Sequence, residues 1–127
     1  MPDLEAAPPA RSPAAAEAAA KADLALLRDS FRDRLAPRVG EIETAWKALA
    51  GAVDRAETTE PLRHLHRLAH SLAGTAGTFG FPTVGSASRA LERRVKELVE
   101  AGAPFEATAR EEIAALLAAL GQAAATA

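Results

Sequence analysis

Apolar residues recur every three or four positions along the segment 62–79, and this spacing constrains the fold more than any other feature. An α-helix advances about 100° per residue, so residues at this spacing fall on one stripe of a helix. The stripe consists of Leu62, Leu65, Ala69, Leu72, Ala76 and Phe79. Only 4% of the residues are aromatic, and Tyr is absent. The sequence therefore predicts an all-α protein whose helices pack closely through small side chains.

Similar apolar stripes precede and follow this segment, and together they predict an antiparallel up-and-down four-helix bundle. The first stripe contains Leu24, Leu27, Phe31, Leu35, Val39, Ile42, Trp46 and Leu49. Pro37 and Gly40 interrupt this stripe, so we expect a kink or a break between two helices there. The Ala-rich stretch 14–22 has a high helix propensity but few apolar anchors, and it is expected to extend the first helix or to form a tail.

Capping signals predict the bounds of the other three helices. A threonine followed by Glu60 and Pro61 is typical of a helix start, and a glycine just beyond an apolar stripe is typical of a helix end. The predicted bounds are Thr58 or Thr59 to Phe79, Pro82 to Gly102, and Pro104 to Gly121. We therefore expect residues 1–22 to be a flexible Ala- and Pro-rich tail, 23–121 to be the bundle and 122–127 to be a C-terminal tail.

The composition argues against several classes of function. The 15 basic and 17 acidic residues nearly balance, and no basic patch with interleaved aromatic residues is present, so we expect no nucleic-acid partner. Cysteine is absent, which removes disulfides and thiol chemistry. The chain shows neither a signal-peptide pattern nor a run of 18 uncharged apolar residues, so we expect a cytoplasmic protein without a membrane partner.

His70 stands out on the second predicted helix because its surroundings are small. It lies about 130° from the middle of the apolar stripe and should face water. Ala73, Gly74 and Gly77 follow it on the same side, although glycine inside a helix costs about 1 kcal/mol relative to alanine. A bare surface that lets another protein approach the imidazole explains this pattern. The alternatives are close helix packing, a frayed helix end and an ordinary solvated histidine.

The segment 70–81 resembles the signature of the histidine-containing phosphotransfer (HPt) family, His-x-Leu-Lys-Gly followed by spaced small residues. The run 76–81, Ala-Gly-Thr-Phe-Gly-Phe, is most similar to the N-terminal phosphotransfer domain of chemotaxis kinases. The resemblance covers about 24–120, and its specific part is 65–95. The matching residues are His70, Leu72, Gly74, Gly77 and Gly80, with the pair Leu91-Glu92 at the distance expected for the next helix.

This resemblance implies roles for individual residues. His70 is the expected phospho-acceptor through Nε2, and Glu92 is expected to hold Nδ1, which leaves Nε2 free as the nucleophile. The alternative for Glu92 is a solvated carboxylate. Ala73 replaces the family's lysine, and Arg89, which should face the histidine from the third helix, is the expected substitute. Arg93 and Arg94 are predicted to be plain surface charge.

A docking surface and the absence of a resident metal complete the predicted site. The docking surface is expected to consist of His66, Arg67, Ala73, Gly74 and Gly77. His66 and His70 also have the i, i+4 spacing of a two-histidine metal site, but no cysteine or acidic cluster supports a third ligand. We therefore expect no cofactor on this chain, with Mg²⁺ on the receiver partner.

The function implied by the resemblance is that of a phosphoryl carrier in His–Asp signalling. Its expected partners are response-regulator receiver domains and a sensor or hybrid histidine kinase. We do not expect an autonomous enzyme, because no ATP-binding kinase domain occurs in these residues. Three alternatives remain open: the phosphotransfer domain of a chemotaxis-type kinase phosphorylated in trans, a helical adaptor that docks receivers without taking phosphate, and a purely structural or dimerisation bundle.

Overall fold

A computed structural model describes residues 12–49, 51–52, 54–102 and 105–127, and within these ranges the chain forms four α-helices without strands. Each helix packs against the next one in the chain, and α4 packs against α1. Within the described ranges, α1 and α3 do not pack against each other, and neither do α2 and α4. This arrangement confirms the predicted all-α four-helix bundle. The helices are α1 (Pro13–Lys47), α2 (Arg55–Thr78), α3 (Pro82–Ala101) and α4 (Ala107–Ala125).

The core is built from the predicted stripes. Leu65, Leu91, Val95, Ile113 and Leu120 are all fully buried. The stripe on α2 is buried from Leu62 to Ala76 as predicted, and Phe79 at its end is half-buried. None of the helices in the described ranges is both long enough and apolar enough to cross a membrane.

The α2–α3 pair makes the most extensive contact in the bundle, and small residues allow the two backbones to approach closely. Ala69, Ala73 and Ala76 are buried on α2, and Gly85 is buried on α3. A methyl group at Gly85 would lie 3.8 Å from both the Cβ of Ala76 and the backbone nitrogen of Gly77. This packing sets the relative position of α2 and α3, and therefore which side chains of the two helices lie next to each other.

The turn between α2 and α3 is defined by Gly80, which adopts a left-handed conformation with φ of 78°. The Phe81 N–H donates to the Ala76 carbonyl at 2.9 Å and the Gly80 N–H to the Gly77 carbonyl, which is the Schellman arrangement. Arg28 of α1 donates from Nε to the Phe79 carbonyl at 3.0 Å. Gly80 therefore ends α2 as predicted, and α1 supplies an additional cap that the sequence pattern did not indicate.

Of the kink or break predicted near Pro37 and Gly40, the break is wrong, because α1 continues through both residues. Proline removes one backbone N–H from the helix, the one that would pair with the carbonyl of Asp33. Pro37 and Asp33 both lie on the exposed side of α1, where water can satisfy that carbonyl. The stripe on the opposite side stays buried across the interruption, from Phe31 to Ile42.

The first part of α1 projects beyond the bundle. With 35 residues α1 is about 52 Å long, whereas the 24 residues of α2 span about 36 Å. Leu24 and Leu27, predicted as part of the apolar stripe, are therefore 41% and 51% exposed, and burial begins at Phe31. Residues 13–22 were predicted to be a tail or an extension of the first helix, and they are helical. Residues 1–11 lie outside the described ranges.

α2 begins earlier than predicted, at Arg55 instead of after Thr58 or Thr59. Asp54 is the N-cap, and its carboxylate accepts a hydrogen bond from the Ala56 N–H at 3.1 Å. Thr58 is already inside the helix and is buried. An aspartate about one turn upstream of the predicted threonines is therefore the N-cap.

The predicted bounds of α4 are also wrong where they can be compared. Pro104, the predicted start, lies outside the described residues, and the helix begins at Ala107. The predicted end at Gly121 is passed, since α4 continues to Ala125. Ala123, beyond the glycine, is 5% exposed and extends the buried stripe of Leu117 and Leu120. The helix thus continues into the segment 122–127, and one helical glycine does not end it.

Candidate functional site

His70 lies in the middle of α2 and projects into solvent, with 71% of its side chain exposed. Gly74 and Gly77 follow it on the exposed side of the helix, and a Cβ added at either would meet no heavy atom within 4 Å. The imidazole is therefore surrounded by open space in the direction of the helix C-terminus. This is the accessible ring that the sequence pattern predicts.

Glu92 of α3 holds one side of the ring. Its Oε1 lies 2.6 Å from Nδ1 of His70, and only 20% of the Glu92 side chain is exposed. An ionised carboxylate can only accept hydrogen bonds, so Nδ1 must carry the proton and donate it. In the neutral ring this leaves the lone pair of Nε2 free and accessible. The predicted contact between these two residues is present.

Ala73 does not belong to the exposed surface as predicted. It is 3% exposed and lies at the edge of the buried stripe. The helical geometry explains the difference, since Ala73 is only about 70° from the middle of the stripe, whereas His70 is about 130° from it. Ala73 faces the close α2–α3 contact, where its carbonyl approaches Gly85, and forms the floor of a cleft rather than part of an exposed patch.

A cleft of about 400 Å³ opens beside the imidazole, between α2 and α3. We call it the His70 cleft. Its walls carry three basic side chains of α3, of which only Arg89 was predicted to act at the site. The cleft is lined by His70, Ala73, Gly74, Arg89, Glu92, Arg93 and Lys96.

Arg93 and Lys96 were missed by the sequence analysis, and Arg93 had been predicted to be plain surface charge. The signal was available in the spacing, because Arg89, Arg93 and Lys96 are at i, i+4 and i+7 and must share one helix face. Arg94, which follows Arg93 in the chain, does not line the cleft, and its Nε donates to Glu112 of α4 at 2.6 Å. Arg94 is therefore a surface ion-pair residue, as predicted.

The two remaining predicted docking residues lie outside the cleft lining. Arg67 is exposed and donates to Glu60 at 3.1 Å, one helical turn or more away from His70. His66 stacks on His70, with ring centroids 6.0 Å apart and planes inclined by 18°. Its Nε2 lies 3.7 Å from Oε1 of Glu92, the same oxygen that accepts from His70. His66 therefore lies beside the Glu92 carboxylate as well as beside the His70 ring.

His66 and His70 have the i, i+4 spacing of a two-histidine metal site. In the described part of the chain, no three or more His, Cys, Asp or Glu side chains are grouped so that they could hold a metal ion. The chemistry available here is that of an imidazole nucleophile, a carboxylate and three cations.

A helical bundle with an exposed histidine that is oriented by a carboxylate of the neighbouring helix has the characteristics of a phosphotransfer domain. The family model described as Hpt domain matches residues 26–125, and the chain belongs to this family. Its members carry phosphoryl groups in His–Asp signalling and interact with receiver domains and kinases in general. No curated protein and no solved structure matches the chain.

Proposed function

We propose that this protein carries phosphoryl groups at His70, exchanging them with the aspartate of response-regulator receiver domains. The observation that supports the proposal best is the hydrogen bond of 2.6 Å between Nδ1 of His70 and Glu92. A carboxylate at this position favours the tautomer protonated at Nδ1, which leaves Nε2 of an exposed ring unprotonated, as a nucleophile requires.

In the proposed transfer, the Nε2 lone pair attacks the phosphorus of an aspartyl phosphate in line with the leaving oxygen. The N–P bond forms, the P–O bond breaks, and its electron pair returns to the aspartate as a carboxylate. The proton stays on Nδ1, and Glu92 compensates the positive charge that develops on the ring. Such transfers depend mainly on positioning and charge stabilisation, and Mg²⁺ is expected on the receiver.

Phosphotransfer to the purified protein tests the proposal. The expected result is that a labelled receiver, or a sensor or hybrid kinase phosphorylated by ATP, passes its label to this chain. Labelling by a kinase but not by any receiver would favour the phosphotransfer domain of a chemotaxis-type kinase. Ala73 stands where the family has a lysine, and this departure motivates the adaptor alternative. Receiver binding without labelling would favour that alternative and contradict the carrier proposal.

Replacing Glu92 by glutamine should slow phosphorylation of His70 about fivefold and leave the fold intact. A hydrogen bond to a charged group contributes about 1 kcal/mol more than a neutral one, and a glutamine can also present its amide donor, which favours the wrong ring tautomer. The rate of label uptake measures the effect.

Glu97→Gln is the matched control, since Glu97 is on the same helix but pairs with Arg94 instead of lying in the His70 cleft. If Glu92→Gln takes up label as fast as Glu97→Gln does, the proposed role of Glu92 is wrong.

A further inference from the structure

We propose that the His70 cleft is a binding site for the phosphoryl group, and that α3 supplies its charge through Arg89, Arg93 and Lys96. The inference rests on the proposed function, because it concerns the phosphorylated state of His70. It differs from a simple exchange of one lysine for one arginine. The three cations are on α3, whereas the family's lysine would be on α2, where Ala73 stands.

The charges of the cleft lining support this assignment. Three cations and one carboxylate give the lining a formal charge of +2. A phosphoryl group on a side chain carries about two negative charges near neutral pH. With the proton retained on Nδ1, the phosphorylated imidazole carries a net charge of about −1, so phosphorylation lowers the positive charge of the cleft and brings the phosphoryl oxygens beside its cations.

Within the described residues, no ion pair is found for Arg89, Arg93 or Lys96. Arg94 pairs with Glu112 and Glu97, and Arg67 pairs with Glu60. Exposed Arg63 on α2 has no ion pair in the described part of the chain either, so Arg89, Arg93 and Lys96 are set apart by lining one cleft together beside His70. Unpaired cations around a small cleft are what an anionic ligand requires.

The equilibrium between phosphorylated receiver and phosphorylated carrier is the appropriate measurement. It should be made at protein concentrations well below the dissociation constant of the complex. The ratio of the two phosphorylated species then depends on the free proteins and is independent of docking. Cations that stabilise phosphohistidine must raise this ratio, and variants that lack them must lower it.

Arg93→Gln and Lys96→Gln should each reduce the equilibrium ratio about two- to fivefold, the range expected for exposed charge pairs. The triple variant that also carries Arg89→Gln should reduce it by about tenfold or more. High salt should lower the ratio of the wild type toward that of the triple variant, which should itself respond little.

Arg94→Gln is the matched control and should leave the ratio unchanged, because Arg94 is one residue from Arg93 but pairs with α4. If the wild type takes the label and the triple variant has the same ratio, the phosphoryl-binding role of α3 is wrong. If the wild type takes no label, the proposed function itself fails, so the two failures are distinguishable.

A second, independent observation concerns His66, whose Nε2 is buried and has no hydrogen-bond partner among the described residues. Buried polar atoms in proteins are nearly always paired, so an unpaired one requires a reason. The nearest carboxylate oxygen is Oε1 of Glu92 at 3.7 Å, within a small movement of hydrogen-bonding distance. We infer that His66 is a positioning residue that donates to Glu92 and holds the carboxylate against Nδ1 of His70.

His66→Phe should slow phosphorylation about two- to fivefold, because phenylalanine keeps the stacked ring but cannot donate a hydrogen bond. His66→Gln, which retains a donor, should restore most of the rate. The ¹⁵N spectrum of the His70 ring should show more of the tautomer protonated at Nε2 in His66→Phe than in the wild type or in His66→Gln.

A double-mutant cycle separates positioning from general structural damage. When Glu92→Gln is already present, adding His66→Phe should cause little further loss. Additive losses, or an unchanged His70 tautomer in the phenylalanine variant, would contradict the role of His66 without affecting the proposal for His70.

Discussion

His70→Gln is expected to take up no label from a phosphorylated receiver or kinase, while the variant folds and binds receivers as the wild type does. Glutamine is similar in size but has no ring nitrogen with a free lone pair, so no N–P bond can form. Because the His70 side chain is 71% exposed, the change should alter the free energy of unfolding by less than about 0.5 kcal/mol.

His64→Gln is the matched control, since His64 is another exposed histidine on α2. It should take up label at the rate of the wild type. Receiver binding should be followed by titration of both variants. Labelling of the His70→Gln variant would contradict the assignment of the phospho-acceptor.

Gly74→Leu should reduce transfer from a receiver by at least about tenfold, the second large effect that we expect. A Cβ at Gly74 meets nothing within 4 Å, so a side chain can start there without a clash, and leucine raises helix propensity by about 1 kcal/mol. The added side chain instead occupies the space through which a receiver must approach His70. Transfer rate and receiver affinity should fall together.

A small phosphodonor distinguishes exclusion of the partner from damage to the nucleophile. Phosphoramidate, which releases ammonia on transfer, should phosphorylate Gly74→Leu with a clearly smaller loss of rate than a receiver does. Gly121→Leu is the control for adding leucine at an open helical glycine, and it should not affect either reaction. Normal receiver transfer to Gly74→Leu would show that the surface beside His70 is not the docking surface.

The fold was largely predictable because its information is local. The spacing of Leu62 to Ala76 specifies which side of α2 is buried, and Gly80 specifies where the helix ends. The errors occurred where tertiary packing overrides a local signal. Pro37 fails to break α1 because buried residues on the opposite side hold the helix together, and Gly121 fails to stop α4 because Ala123 continues the buried stripe.

The candidate site was predictable to a smaller extent. The exposure of His70 follows from helical geometry, but Glu92 was identified only through the family resemblance. The burial of Ala73 and the proximity of His66 to Glu92 depend on how α2 and α3 are rotated against each other. That rotation depends on the packing of Ala73, Ala76 and Gly85, which no single periodic pattern encodes. Lys96 was not predicted, although it lies seven residues after Arg89 and so shares its face of α3.

The most direct test of the account is to locate the phosphoryl group by NMR in the ¹⁵N-labelled, phosphorylated protein. Coupling between phosphorus and nitrogen identifies which ring atom carries the group. We expect the phosphoryl group on Nε2 of His70, with the proton retained on Nδ1 toward Glu92. A phosphoryl group on Nδ1 of His70, or on His64 or His66, would contradict the account.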